Sequence, residues 1–182
     1  MGRHLASLIG GSRTSGEIFA KSVHNDKYSH WDESIYFGDL ENALGAESVV
    51  FITGSQTCSA SEIVINGLRP FLDVATVGRK TCGKPVGMYG YDFCDIHIAP
   101  IEMKIVNALD EGDYFGGIVP DCDAEDDLAR DFGDIREDSL KTALHHLLNR
   151  SCPDSSDTRK KVRDKPLREI EFEGSGKRNG AF

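Results

Sequence analysis

The sequence predicts an α/β fold, and three observations carry the prediction. Ser48–Thr53 is a short, β-branched apolar run closed by Gly54, the pattern of a buried strand. A helix-spaced set follows Ser59, formed by Ile63, Val64, Gly67, Leu68 and Leu72, with Glu62 three residues after Ser59 at capping-box spacing. Residues 74–77 (Val-Ala-Thr-Val) form a second strand ended by Gly78. Strand, helix and strand within about thirty residues make a βαβ unit, whose right-handed crossover places the two strands parallel.

The remaining elements are read around that unit. Residues 4–9 resemble the closing turns of a helix stopped by Gly10 and Gly11, and a domain seldom begins there, so a preceding segment is expected to be missing. Residues 13–31 read as irregular with extended stretches, Asn25-Asp26 marking a turn. Residues 92–106 carry strand signals, with Pro100 setting an edge or a bend. Residues 123–132 and 136–148 read as two amphipathic helices, the second lining Leu140, Ala143, Leu144, Leu147 and Leu148 on one face. From residue 153 to 182 the chain holds eight Lys/Arg, six Asp/Glu and few large apolar groups, and is expected to be a disordered tail behind a core of residues 1–152.

The charge balance narrows the function. With 21 Lys+Arg against 30 Asp+Glu, a net of −9, the chain lacks the basic footprint of a nucleic-acid binder, and an anionic membrane surface is disfavoured. No apolar run approaches the ~20 residues of a membrane span, and the first eleven residues make a poor signal peptide. The five cysteines, Cys58, Cys82, Cys94, Cys122 and Cys152, include no Cys-x-x-Cys pair. The two expected C-terminal helices would bring Cys122 and Cys152 together, leaving a disulfide or two free thiols open.

Chemistry concentrates at the βαβ unit. Ser59 stands where a loop becomes a helix N-terminus, and free backbone N–H groups there can hold a developing oxyanion. A hydroxyl needs a base. None of the six histidines is in a recommending position, whereas Lys84 follows Gly83 just past the second strand. Parallel strands end at the same edge, so Ser59 and Lys84 fall on one rim, and a partly desolvated lysine can accept the serine proton.

These residues resemble the C-terminal-processing, or tail-specific, serine peptidases. Ser59-Ala60-Ser61-Glu62-Ile63 and Gly83-Lys84 match the core S-A-S-E-I and G-K motif of that family at its own spacing. The likeness extends over about residues 3 to 152, through Arg3-His4-Leu5-Ala6-Ser7-Leu8-Ile9, Gly117-Ile118-Val119-Pro120-Asp121, Asp126-Asp127-Leu128, Gly133-Asp134 and residues 137–144. The resemblance implies a ClpP/crotonase-like core and peptide-bond hydrolysis through an acyl-enzyme. Ser59 is then the nucleophile, Lys84 the base, and the backbone N–H of Ala60 one oxyanion donor, with no cofactor and no metal. Ser61 and Glu62 would cap and orient the helix. The implied partner is a polypeptide substrate, and the implied location of the parent protein is periplasmic or exported, with a membrane contact only if that parent is a lipoprotein.

Two departures accompany the match. The family's glycine-rich turn (D-L-R-x-N-x-G-G), its strand and its peptide-binding PDZ module precede the segment at which this chain starts, so the resemblance implies an N-terminally truncated core. The position four residues after Lys84, which carries an orienting Gln in the family, is Met88, which cannot hydrogen-bond an ammonium as Gln does. An impaired homologue that binds peptide or self-associates is the competing reading, and an uncovered sheet edge or apolar face would drive self-association.

Other motifs yield to plainer explanations. Residues 78–84 fit seven positions of a phosphate-binding loop, but Pro85 replaces the Ser or Thr that holds Mg²⁺. Cys58 reads as a small buried thiol rather than a nucleophile. His145-His146 read as a polar helix face, and Asp121, Asp123, Asp126 and Asp127 as acids solvating a helix start.

Overall fold

The computed structural model describes residues 1–153. Helix α1 (Gly2–Gly10) turns Ala6 and Ser7 inward and is followed by β1 (Ile18–His24) and β2 (Glu33–Tyr36), an antiparallel pair. The Asn25 carbonyl accepts the Tyr28 amide at 2.9 Å in the turn between them. The stretch read as irregular therefore contains a strand of the core. Its signal was hidden because Phe19 and Ala20 are both buried, and a bulge between Ile18 and Ala20 interrupts the period of two.

The βαβ unit forms as expected. Strand β3 (Ser48–Thr53) pairs in parallel with β4 (Asp73–Gly78) from Ser48↔Asp73 to Thr53↔Gly78, and α2 (Ala60–Leu68) connects them. Leu72 lies beyond α2, although its amide still donates to the Leu68 carbonyl at 3.0 Å and its side chain joins the same core. Beyond β4 come β5 (Val86–Met88), β6 (Tyr91–Phe93), β7 (Ile96–Ile98) and β8 (Ile101–Val106). β6 and β7 make a separate hairpin, and Pro100 falls in the break before β8. β9 (Cys122–Asp123) adds a third parallel strand beside β4.

The parallel sheet, ordered β3-β4-β9, is thus joined by a four-stranded antiparallel sheet ordered β2-β1-β8-β5. Helices α1 and α2 lie between the two sheets. Ala6, Phe19, Ala20, Phe37, Val64 and Leu68 form that interior, with Val49, Phe51 and Val74 from the parallel sheet closing it. On the opposite face of the parallel sheet, Val77, Cys122, Ala124 and Val50 pack with Ala143 of α3 (Asp138–Asn149).

One expected helix is absent. Residues 124–132 follow β9 as irregular backbone and turns, where Asp127 satisfies an amide two residues ahead instead of supporting a helix. Asp127 accepts the Ala129 amide at 3.1 Å, and further on Asp134 accepts the Arg136 amide at 2.9 Å. The Arg136 guanidinium beside Asp134 holds that carboxyl down at about 2. Leu128 and Phe132, which would have lined the helix face, are exposed. The acidic cluster therefore caps no helix at residue 123. Asp121 instead accepts the Thr76 amide (2.7 Å) and hydroxyl (3.0 Å), extending the β4 edge. The tail expected from residue 153 lies, from residue 154 onward, outside the described residues.

Candidate active site

Ser59 caps α2 with φ 54° and ψ −113°, a conformation that L-residues avoid. Such strain persists only where neighbours over-determine the backbone, and two constraints do so here. Ser59 N–H donates to Glu62 Oε2 at 2.9 Å, and Cys58, immediately before it, is disulfide-bonded to Cys82.

Glu62 is fully buried, and its carboxylate organises the rim. Oε2 also accepts Lys84 N–H at 2.8 Å, while Oε1 accepts Gly83 N–H at 2.8 Å and the Thr81 hydroxyl. One oxygen of one side chain thus holds the backbone of both Ser59 and Lys84. The sequence expectation that Glu62 caps and orients the helix describes half of this arrangement; the other half fastens the loop that carries Lys84.

That loop is fixed on its outer side as well. Thr81 N–H donates to the Ile118 carbonyl (3.1 Å), Ile118 N–H to the Thr81 hydroxyl (2.7 Å), and Cys82 N–H to the Thr57 carbonyl (3.0 Å). Gly83 has φ 83°, and a Cβ there would lie 2.3 Å from the Phe115 carbonyl oxygen, so only glycine fits. The Gly117–Asp121 segment picked out in the sequence is therefore the buttress of the Lys84 loop. Because Gly83 and Lys84 turn their N–H groups onto Glu62, they cannot also cradle a phosphate, which removes the phosphate-loop reading on geometry as well as on Pro85.

Lys84 is half-buried, and among the described residues its ammonium has no carboxylate or hydrogen-bond partner. Ala60 is the first residue of α2, so its N–H has no acceptor within the helix. The neighbouring Ser61 amide is taken by the Cys58 carbonyl at 3.2 Å. Met88 ends β5 on the outer edge of the antiparallel sheet and is 42% exposed.

Three contributors escaped the sequence reading. Thr81 supplies both a donor to Glu62 and an acceptor for Ile118, and nothing local in the sequence marks it. The Tyr114 hydroxyl is buried with no hydrogen-bond partner among the described residues, and burial, with Glu62 nearby, raises that phenol far above its ordinary value. The third is the Cys58–Cys82 disulfide, which corrects the assignment of Cys58 as a lone buried thiol. Its signal was present: the cysteines stand one residue before Ser59 and two before Lys84.

Cys122 and Cys152 also form a disulfide, although by a route other than the expected helical hairpin. Cys122 sits on β9 and Cys152 follows α3, so packing of α3 on the parallel sheet brings them together. His146 Nδ1 lies 3.4 Å from Cys122 Sγ, a juxtaposition the sequence spacing did not suggest. Both groupings of metal-binding residue types, Cys122-His146-Cys152 and Cys58-Glu62-Cys82, have their two sulfurs already joined to each other.

No protein-family model and no curated protein matches the chain. Solved structures do. A Bacteroides fragilis protein assigned as an S41 protease superposes with a TM-score of 0.71 at 22% identity, covering 82% of this chain and 41% of that one. The photosystem II D1 C-terminal processing protease aligns with a TM-score of 0.52 at 17% identity, over 68% of this chain and 30% of its own. A lipoprotein from Streptococcus agalactiae gives 0.54 at 14% identity, over 80% and 48%. The chain therefore has the fold of part of these proteins and spans less than half the length of each.

Proposed function

We propose that the chain is the catalytic core of a serine endopeptidase that hydrolyses polypeptides with a Ser59/Lys84 dyad on a ClpP/crotonase-like scaffold. The observation that carries this reading is the Glu62 carboxylate, which holds the Ser59 and Lys84 backbones on one oxygen at the rim of the βαβ unit. A shared fold with proteases supports the reaction class.

In this reading Ser59 Oγ attacks the scissile carbonyl carbon while Lys84 Nζ, half-buried and unpaired, takes its proton. The oxyanion that forms meets the free Ala60 N–H at the positive end of α2. Lys84 returns the proton to the leaving amine, and water then hydrolyses the Ser59 ester with Lys84 again as base. Two disulfides fit an exported, oxidising setting for the protein. No described helix is long and apolar enough to cross a membrane.

Met88 favours a second reading. Standing where the resembling family carries an orienting Gln, it leaves Lys84 without that hydrogen bond, so the chain could bind peptide or self-associate without turnover. Incubation with an unstructured, fluorophore-labelled polypeptide separates the two. The protease reading expects cleavage that Ser59→Ala and Lys84→Ala each abolish. Binding without cleavage by the wild-type chain supports the second reading, and cleavage surviving Ser59→Ala contradicts the first.

A further inference from the structure

The Cys58–Cys82 disulfide ties together the two segments on which the proposed chemistry depends. Cys58 immediately precedes Ser59, Cys82 lies two residues before Lys84, and their Cα atoms are 5.2 Å apart. Cys82 is exposed and Cys58 half-buried, so an incoming thiolate reaches the Cys82 sulfur first. Cys82 Sγ also lies 3.6 Å from Glu62 Oε2, the oxygen that accepts both Ser59 N–H and Lys84 N–H. In the disulfide that sulfur carries no proton. Reduced, it becomes an S–H donor competing for this one oxygen, and the covalent tie between the segments is lost at the same moment.

We propose that Cys58–Cys82 is a thiol–disulfide exchange site, a redox latch that keeps the Ser59 turn and the Lys84 loop in register, with a dithiol reductant as its partner. This rests on the Ser59/Lys84 reading for its effect on catalysis. A thiolate of the dithiol attacks Cys82 Sγ, a mixed disulfide forms, and Cys58 leaves as a thiolate and takes up a proton. The second thiol of the reductant then attacks its own sulfur in the mixed disulfide and releases Cys82, which is protonated in turn. Two electrons and two protons pass to the protein, and the reductant leaves as its disulfide.

The other disulfide is the internal comparison. Cys122–Cys152 braces β9 against the end of α3, on the face of the parallel sheet away from α2, and makes no contact with Glu62. A reductant acting through it would leave the Ser59–Glu62–Lys84 arrangement in place.

The test uses the full chain in three measurements. Alkylation with iodoacetamide under denaturing, non-reducing conditions, followed by peptide mass analysis, should find Cys58 linked to Cys82 and Cys94 modified; modified Cys58 and Cys82 overturn the latch. The rate at which a fluorophosphonate phosphonylates Ser59, with fluoride leaving, should fall at least about tenfold after dithiothreitol, given how steeply rate depends on placement, and should recover with oxidised glutathione. The Cys122→Ser/Cys152→Ser variant should keep that response, and Cys58→Ala/Cys82→Ala should stay at the low rate in either condition. Amide hydrogen exchange at Ser59, Gly83 and Lys84 should quicken on reduction. Equal phosphonylation with and without the bridge refutes the latch and leaves the dyad standing. No phosphonylation in either state, with exchange still quickened, refutes the dyad and leaves the latch. Exchange unchanged by reduction refutes the latch whatever Ser59 does.

Discussion

Glu62 does the work of several residues, because a buried carboxylate with two oxygens can hold two chain segments at once. Four donors converge on it: the amides of Ser59, Gly83 and Lys84 and the Thr81 hydroxyl. Removing it leaves these donors facing a cavity, at about 1–3 kcal/mol for each that water cannot reach. Glu62→Ala should therefore lose more than about 3 kcal/mol of stability, read from the urea midpoint, and a loss under about 1 kcal/mol would show that Glu62 is not the tie described. The half of this role within α2 was legible in the sequence, since a Glu three residues after a Ser at a helix start is a local pattern. The half that grips residues 81–84 was not, since those donors come from a loop about twenty residues away that only the crossover brings back. The placement of Ser59 and Lys84 on one rim was legible for a related reason: parallel strands end at one edge, and a topological rule suffices for that. The disulfide beside them needed the same rule applied to Cys58 and Cys82.

At the scale of elements, α3 shows where acidic residues serve as caps. The Glu137 carboxylate accepts the Ser139 amide at 3.0 Å and the Leu140 amide at 2.6 Å, and also the Asp127 amide at 3.2 Å. Partial burial pushes this carboxyl up, but the three amides outweigh it and hold it below its ordinary 4.5. A folded-state value below the unfolded one means the contribution is present above about pH 4.5 and is lost as pH falls through the lowered value. Glu137→Ala should cost about 1 kcal/mol at pH 7. The gap to the wild-type chain should shrink below about pH 4.5 in urea unfolding at pH 7 and pH 3, and an unchanged gap would show that the cap contributes nothing. The helix expected over residues 123–132 failed for the opposite reason. Its apolar spacing was present, but Asp127 offered the backbone a local alternative, and Leu128 and Phe132 stay exposed. β1 was missed because its burial does not alternate, whereas β3 and β4, short with apolar, β-branched centres, were read correctly.

As a whole molecule, the chain is a four-stranded antiparallel sheet, a helical layer, a three-stranded parallel sheet and α3, with the candidate site at the rim where β3 leads into α2. The α/β class was legible from the βαβ unit alone. The antiparallel sheet was not, because its central pairing, β1 with β8, joins residues about eighty positions apart, such as Lys21 and Val106, and a sequence pattern holds no record of partners. β3 has no partner on its outer side among the described residues. Beside it, Met1, Leu5, Phe51, Ile52 and Val64 line an open apolar groove. An uncovered edge next to an apolar surface favours association, so light scattering should show mass increasing with concentration, and a sharp monomer at high concentration would contradict this. The proposed function turns on Ser59 being a nucleophile made reactive by Lys84. Intact-mass spectrometry of the chain after treatment with a fluorophosphonate tests it most directly. A single phosphonyl adduct should map to Ser59 and disappear in Lys84→Ala, with that variant still folded by circular dichroism. An unmodified wild-type chain, or an adduct undiminished by Lys84→Ala, would contradict it.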